Sequence, residues 1–240
     1  MEGHMNASLS ISFVMPMFNE KDNIEDTISR IRSVAEELTE DYEIVIVDDG
    51  STDGCGEIVD EIARRDGPVR SFRLDQNTKF GGAFAEGFRQ ASRDVIVYMD
   101  SDMPVSVEDV RASFPLIRNA EIVTGYSKIK KGDTLKRKII SGIYNKTVQL
   151  LFGLNIKDIN SGYKVVRKEL VRDLEFVSFS PFIDVELFLH ARKKNARVRQ
   201  YPLVFHPRAG GRSYIARIPV IWATLRDMIK VRLKVAGGRQ

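Results

Sequence analysis

The chain has a single cysteine, Cys55, among its 240 residues. That excludes an internal disulfide framework, fits a reducing compartment, and leaves Cys55 as a structural, unreactive thiol. No uninterrupted apolar run approaches the roughly 18 residues of a membrane-spanning helix. No signal peptide opens the chain, and residues 1–5 read as a cloning remnant with a natural start at Met5. A dinucleotide fingerprint is missing too: Gly81 and Gly82 open a helix, but no Gly-x-Gly-x-x-Gly stands there. Internal repeats, low-complexity tracts and flexible linkers are absent, so the second half reads as an elaboration of one domain. Basic residues sit beside aliphatic stripes rather than aromatic stacking platforms, which argues against nucleic acid as a partner.

What is present is an ordinary globular balance, 43% hydrophobic and 29% charged, able to bury a core. The net charge of +4 is mild, but Lys and Arg concentrate after residue 127. Strand-like runs at residues 10–17, 42–47, 69–74 and 94–99 alternate with helical patterns from Asn19 (as N-cap) to residue 38, up to about residue 65, and over residues 81–91. This alternation predicts an α/β fold, a mostly parallel sheet flanked by helices. Residues 107–117 read as a helix and 121–124 as a short strand. Helix 139–154, a polar loop at 158–163, strand 164–166, helix 181–194 and strand 197–205 follow.

The run Val95-Ile96-Val97-Tyr98-Met99 ends in Asp100-Ser101-Asp102, two carboxylates one residue apart at the carboxyl edge of a buried strand. Hard oxygen ligands there suit a divalent cation holding phosphates. A solvated turn is the alternative for a lone Asp-x-Asp. Asn19-Glu20 and Asp48-Asp49 also stand at strand ends, and in a parallel sheet these loops share one edge. Asp48 and Asp49 read as ligand-binding, with capping of the next helix as the competing role, which also applies to Asp53.

The segments SFVMPMFNE, VDDGSTDG and MDSDMP, in that order, resemble the family 2 glycosyltransferases. The resemblance implies the nucleotide-sugar-binding GT-A fold, Rossmann-like, over residues 6–213, with the acceptor-side elaboration starting near residue 127. It implies that Pro16, Asn19 and Glu20 line the base and ribose and that Asp48 or Asp49 accepts hydrogen bonds from them. Asp100 and Asp102 would hold sugar and metal, Mg²⁺ or Mn²⁺. Acceptor-only carboxylates suit these tasks. Where the mannose synthase pattern has a metal-binding glutamine this chain has Pro104, so water and the diphosphate would complete the shell. Lys128 is the nearest cation where an arginine is expected.

Residues 137–169 are similar to the polyprenyl-phosphate hexosyltransferases, the dolichol-phosphate mannose and glucose synthase group. The similarity implies that Arg137, Ser141, Arg208 and Ser213 meet an acceptor phosphate. Arg137 and Ser141 share a helix face at i, i+4, and a guanidinium forks onto phosphate oxygens. A solvated basic face is the alternative. Asp184 matches the position of a general base in many relatives, and also reads as an early helical acid favoured by the dipole. A phosphate acceptor is already largely ionised at neutral pH, so a strong base is dispensable. Asp158 and Ser161 either order their loop against the arginines or make a turn.

Residues 134–154 and 214–235 mix Lys and Arg with aliphatic residues, as interfacial amphipathic helices do. Packing into the protein's own core is the competing reading. The sequence thus predicts inverting hexose transfer from GDP-mannose or UDP-glucose to a polyprenyl phosphate, at the cytoplasmic face of a membrane or on a membrane subunit. An alcohol-acceptor transferase and a catalytically idle nucleotide-sugar-binding module are the rival readings.

Overall fold

A computed structural model describes residues 9–101, 103, 105–130, 135–205 and 218–237. The first half is the expected alternation: β1 (Ile11–Met17), α1 (Ile24–Leu38), β2 (Tyr42–Asp48), α2 (Cys55–Arg65), β3 (Val69–Arg73), α3 (Lys79–Gln90) and β4 (Val95–Met99). Then come α4 (Val107–Ser113), a 3₁₀ turn (Phe114–Asn119), β5 (Ile122–Lys130), α5 (Leu135–Phe152), β6 (Tyr163–Arg167), α6 (Lys168–Val171), α7 (Ile183–Lys193), β7 (Val198–Phe205) and α8 (Ile218–Gly237).

The strands form one sheet in the order β3-β2-β1-β4-β6-β5-β7. β1 pairs in parallel with β2 and β4, so the chain order reverses between β1 and β4, and ligands of open α/β sheets bind at such a switch point. β6 alone runs antiparallel to its neighbours, with Met99 opposite Tyr163 and Ile122 opposite Val166. β5 and β7 pair in parallel. The reversal of β6 brings the loop before it to the edge where the other strands end.

β1 and β2 are near-continuous apolar runs because both faces of the sheet are covered. Phe13, Met15 and Met17 join the core under α1 and α4, whereas Val14, Val45 and Val47 join the core under α3, α5, α7 and α8. α1 buries Ile24, Thr27, Ile28, Ile31, Val34 and Ala35, the i, i+3, i+4 stripe of an amphipathic helix.

Several expected boundaries move; α5, for one, starts at Leu135 rather than residue 139. Asn19 does not cap α1: it takes a left-handed backbone, φ 56°, and Asn23 precedes the helix instead. The helix expected over 107–117 tightens to 3₁₀ geometry where Pro115 follows Phe114. The strand expected over 121–124 extends to Lys130 because β7 pairs along it.

α3 can approach the segment before α7 only because its third residue is glycine. A Cβ on Gly81 would stand 2.6 Å from the Ser178 carbonyl oxygen, and its N–H donates to the Phe179 carbonyl at 3.1 Å. Gly81→Ala is therefore expected to cost about 1–3 kcal/mol by overpacking against backbone. Thermal unfolding should show a midpoint several degrees lower, and an unchanged midpoint would mean that this contact is looser than described.

Candidate active site

The carboxyl ends of β2, β1 and β4 lie side by side, within about 10 Å at ordinary strand spacing. Their loops are laced together. Asp49 N–H donates to the Met17 carbonyl at 2.8 Å. Asn19 Oδ1 accepts from the Thr52 N–H at 2.9 Å, and its own N–H donates to Ser51 Oγ at 3.0 Å. Asp53 accepts from the N–H groups of Lys21 and Cys55, each at 3.0 Å, and so takes the structural role considered for it. Pro16 is half-buried on β1 opposite Val47. Glu20 is half-buried, its Oε2 accepting from Asn23 Nδ2 at 3.1 Å.

The two carboxylates at the end of β2 are more enclosed than the ligand reading foresaw. Asp48 is 1% exposed: Oδ1 accepts from the Ser51 N–H at 2.9 Å, and Oδ2 stands 3.2 Å from Arg73 Nε, an ion pair without good hydrogen-bond geometry. Asp49 accepts from Thr78 N–H at 2.6 Å and Thr78 Oγ1 at 2.7 Å, which fixes the start of α3. Burial pushes the Asp49 carboxyl above the usual aspartate value, against the lowering effect of those Thr78 bonds and of Lys79. Gly50 between these loops is left-handed, φ 73°, and a Cβ there would lie 3.0 Å from Asn77 N. Arg73 and Thr78 did not stand out in the sequence, because their partners lie on other elements.

Asp100 follows β4. Its N–H donates to the Gly162 carbonyl at 3.3 Å, its carbonyl accepts from Met103 N–H at 3.0 Å, and Tyr98 Oη donates to its Oδ1 at 3.2 Å. Tyr98 is held by aromatic packing, its ring centroid 4.6 Å from that of Phe84, which in turn stacks on Phe88 at 4.4 Å. Thr27 Oγ1 donates to the Ser101 carbonyl at 3.0 Å and so ties the same turn to α1. Asp102 and Pro104 lie outside the described residues. Among the described residues no cluster of three or more His, Cys, Asp or Glu side chains forms a metal cage. The donor set fits a hard divalent cation that takes one or two protein carboxylates and completes its shell from phosphate and water.

Helix α5 meets this edge through the loop at residues 158–162. Ile159 N–H donates to Asn145 Oδ1 on α5 at 3.2 Å, and Asn160 Nδ2 donates to the Pro181 carbonyl at 2.9 Å. Ser161 is buried, and its Oγ donates to the Tyr163 carbonyl at 3.3 Å and accepts from the Tyr163 N–H at 3.4 Å, the local bonds of a turn; the arginines of the other reading lie outside the described side chains. Arg137 and Ser141 lie in the first two turns of α5, just after the end of β5 at the same edge; the side chain of Arg137 is outside the described residues. Arg208 and Ser213 are outside them as well, though β7, which leads to them, ends at that edge.

Asp184, considered as a general base, is 1% exposed. Its Oδ1 is 2.8 Å from Nζ of Lys164, which is itself fully buried. Burial pushes the Asp184 carboxyl up to about 6 despite the pull of Lys164. Lys164 was read only as a strand residue, since no local pattern marks a buried lysine whose partner comes twenty positions later.

Known proteins place this geometry. The profile of glycosyl transferase family 2 matches residues 12–175. A dolichol-phosphate mannosyltransferase of Pyrococcus furiosus is 32% identical over 212 residues, 85% of this chain and 59% of its own length. An undecaprenyl-phosphate mannosyltransferase of Micrococcus luteus is 28% identical over 210 residues, 83% of this chain and 85% of its own. A glycosyltransferase of Haloferax volcanii is 26% identical, and the chain spans 40% of its length. Glucosyl-3-phosphoglycerate synthase from Mycobacterium tuberculosis, solved with Mn²⁺, UDP and phosphoglyceric acid, superposes with a TM-score of 0.71 at 19% identity. The superposition covers 95% of this chain and 78% of that one, and it shows a shared fold, the GT-A architecture.

Proposed function

The chain belongs to glycosyl transferase family 2, and from that premise we propose that it is a glycosyltransferase that transfers a hexose from a nucleoside diphosphate sugar to a polyprenyl phosphate at a membrane surface. The observation that carries this reading is the reversed strand β6. It sets the 158–162 loop between Asp100 and α5, so that an acidic donor side and a helix bearing Arg137 and Ser141 open on one edge. The relatives named above add support, since two of them are named for dolichol phosphate and undecaprenyl phosphate. Those names favour mannose, hence GDP-mannose as donor; the UDP and UDP-glucose in the solved neighbours make UDP-glucose the second choice.

In this reading Asp100 and Asp102 would hold Mg²⁺ or Mn²⁺, which would supply positive charge to offset that of the departing nucleoside diphosphate. Pro16, Asn19 and Glu20 face the nucleoside, with Asp48 and Asp49 shaping the wall behind it. Arg137, Ser141, Arg208 and Ser213 take the acceptor phosphate. The phosphate oxygen attacks in line and the anomeric centre inverts. Its second pKa near 6 leaves it ionised at neutral pH, so no side chain has to remove a proton. The enclosure of Asp184 agrees with that economy and disfavours an alcohol acceptor, which would need an accessible base.

The membrane belongs to the same reading. No described helix is long and apolar enough to cross a bilayer. α8 packs Val220, Met228 and Val231 inward, yet Trp222, Ile229 and Leu233 are 69%, 62% and 67% exposed beside Arg226 and Lys230. On α5, Ile139, Ile143 and Leu150 are exposed as well. Such faces suit the cytoplasmic, anionic side of a membrane. Replacing Trp222 and Ile229 together by Asp is expected to abolish co-sedimentation with anionic vesicles and to spare transfer to a short, soluble acceptor. Equal loss on both acceptors would contradict a membrane role.

The test is incubation with radiolabelled GDP-mannose or UDP-glucose, a short polyprenyl phosphate and Mn²⁺. A labelled glycolipid is expected from one donor, lost on chelation with EDTA and restored by added Mn²⁺. No glycolipid from either donor would overturn the reading.

A further inference from the structure

We propose that the buried Lys164–Asp184 pair is a positioning device that sets the 158–162 loop between Asp100 and α5. The inference rests on the reaction proposed above. Lys164 stands opposite Tyr98 in the β4–β6 register, with no exposed surface. Enclosing an ammonium and a carboxylate costs several kcal/mol of desolvation each, and an apolar pair at such a place is often neutral or stabilising. Core packing alone therefore does not account for these two residues.

Their contacts show what else they do. Lys164 Nζ donates to the Ser161 carbonyl while paired with Asp184 Oδ1, so one cation joins β6, the loop and the first turn of α7. It also lies 5.7 Å over the ring of Tyr98, whose hydroxyl donates to Asp100. The loop it grips reaches both halves of the site: the Gly162 carbonyl takes the Asp100 N–H, and the Ile159 N–H is held by Asn145 of α5. Asn160 adds a strut to Pro181, three residues before Asp184. Both charged side chains of the pair are buried. Their effect on transfer passes through the loop, which fixes how far the acceptor helix stands from the donor carboxylate.

Single substitutions that strand one charge, such as Lys164→Met, are expected to unfold the chain partly. The informative variant is the double change Lys164→Met with Asp184→Leu, which removes both charges and keeps the volume. Lys164→Gln with Asp184→Asn, which also strands no charge, is the second variant. The readouts are the melting temperature, hydrogen–deuterium exchange of peptides covering residues 158–163, and the split between kcat and donor KM. The first double variant should melt within a few degrees of wild type and exchange roughly tenfold faster in that segment only, an opening made easier in one cooperative unit. Its kcat should fall about tenfold, the loss expected when binding is kept and alignment is not, while the KM for the nucleotide sugar changes by less than about threefold.

Unchanged exchange at 158–163 in whichever variant stays folded would overturn the proposal. So would faster exchange with wild-type kcat. If the wild-type chain itself forms no glycolipid, the proposed reaction fails, and the exchange measurement then judges the pair alone.

Discussion

Asp100→Ala is expected to lower kcat/KM by roughly a thousandfold, about 4 kcal/mol, the scale on which preorganised electrostatic stabilisation of a leaving group acts. The fold should survive. The backbone bonds that shape the turn, Asp100 N–H to Gly162 and Met103 N–H to Asp100, do not involve the side chain. The bond from the Tyr98 hydroxyl is lost, about 1 kcal/mol and a few degrees of melting temperature. Asp100→Asn separates charge from hydrogen bonding: it keeps an oxygen for Tyr98 and should lose nearly as much activity. If either variant kept more than a tenth of wild-type activity, Asp100 would not be holding the diphosphate's cation.

On the acceptor side the largest effect is expected at Arg137. Arg137→Ala should lower kcat/KM for the polyprenyl phosphate about a hundredfold, the loss of a charge-assisted, forked contact worth about 2–3 kcal/mol. KM for the nucleotide sugar should stay as it is, because among the described residues α5 is tied toward the donor side through the 158–162 loop. Arg137→Lys should recover part of the loss, as a point charge replaces a fork. Steady-state kinetics with each substrate varied in turn makes the check. A rise in donor KM with acceptor kinetics unchanged would move Arg137 to the other side of the site.

These two residues differ in how they could be read. Asp100 was visible because an apolar run that stops at a carboxylate places that carboxylate at a sheet edge, and the three acidic loops lie where the parallel alternation puts them. The uses of Asp48, Asp49 and Asn19 were not visible. Arg73, Thr78 and Thr52, which occupy them, lie on neighbouring segments, and only the strand order brings those segments close. The reversal of β6 was equally silent: residues 164–166 have strand composition whichever way they run, and the antiparallel direction depends on pairing with Val95–Met99 and Ile122–Thr124. Lys164 shows the same limit most sharply. A lysine in a strand reads as an exposed edge residue, and its burial follows from Asp184 on a helix that packs under it. For α8 the packing reading holds on one stripe, Val220, Met228 and Val231, while Trp222, Ile229 and Leu233 on another stripe are exposed.

The central claim is that the acceptor is a phosphate. The most direct measurement gives the wild-type chain the same labelled donor, Mn²⁺ and either a short polyprenyl phosphate or the corresponding polyprenol, and follows glycolipid formation side by side. Labelled product from the phosphate and none above background from the alcohol is the predicted result. Comparable transfer to the alcohol, or to a glycan with the phosphate untouched, would contradict it.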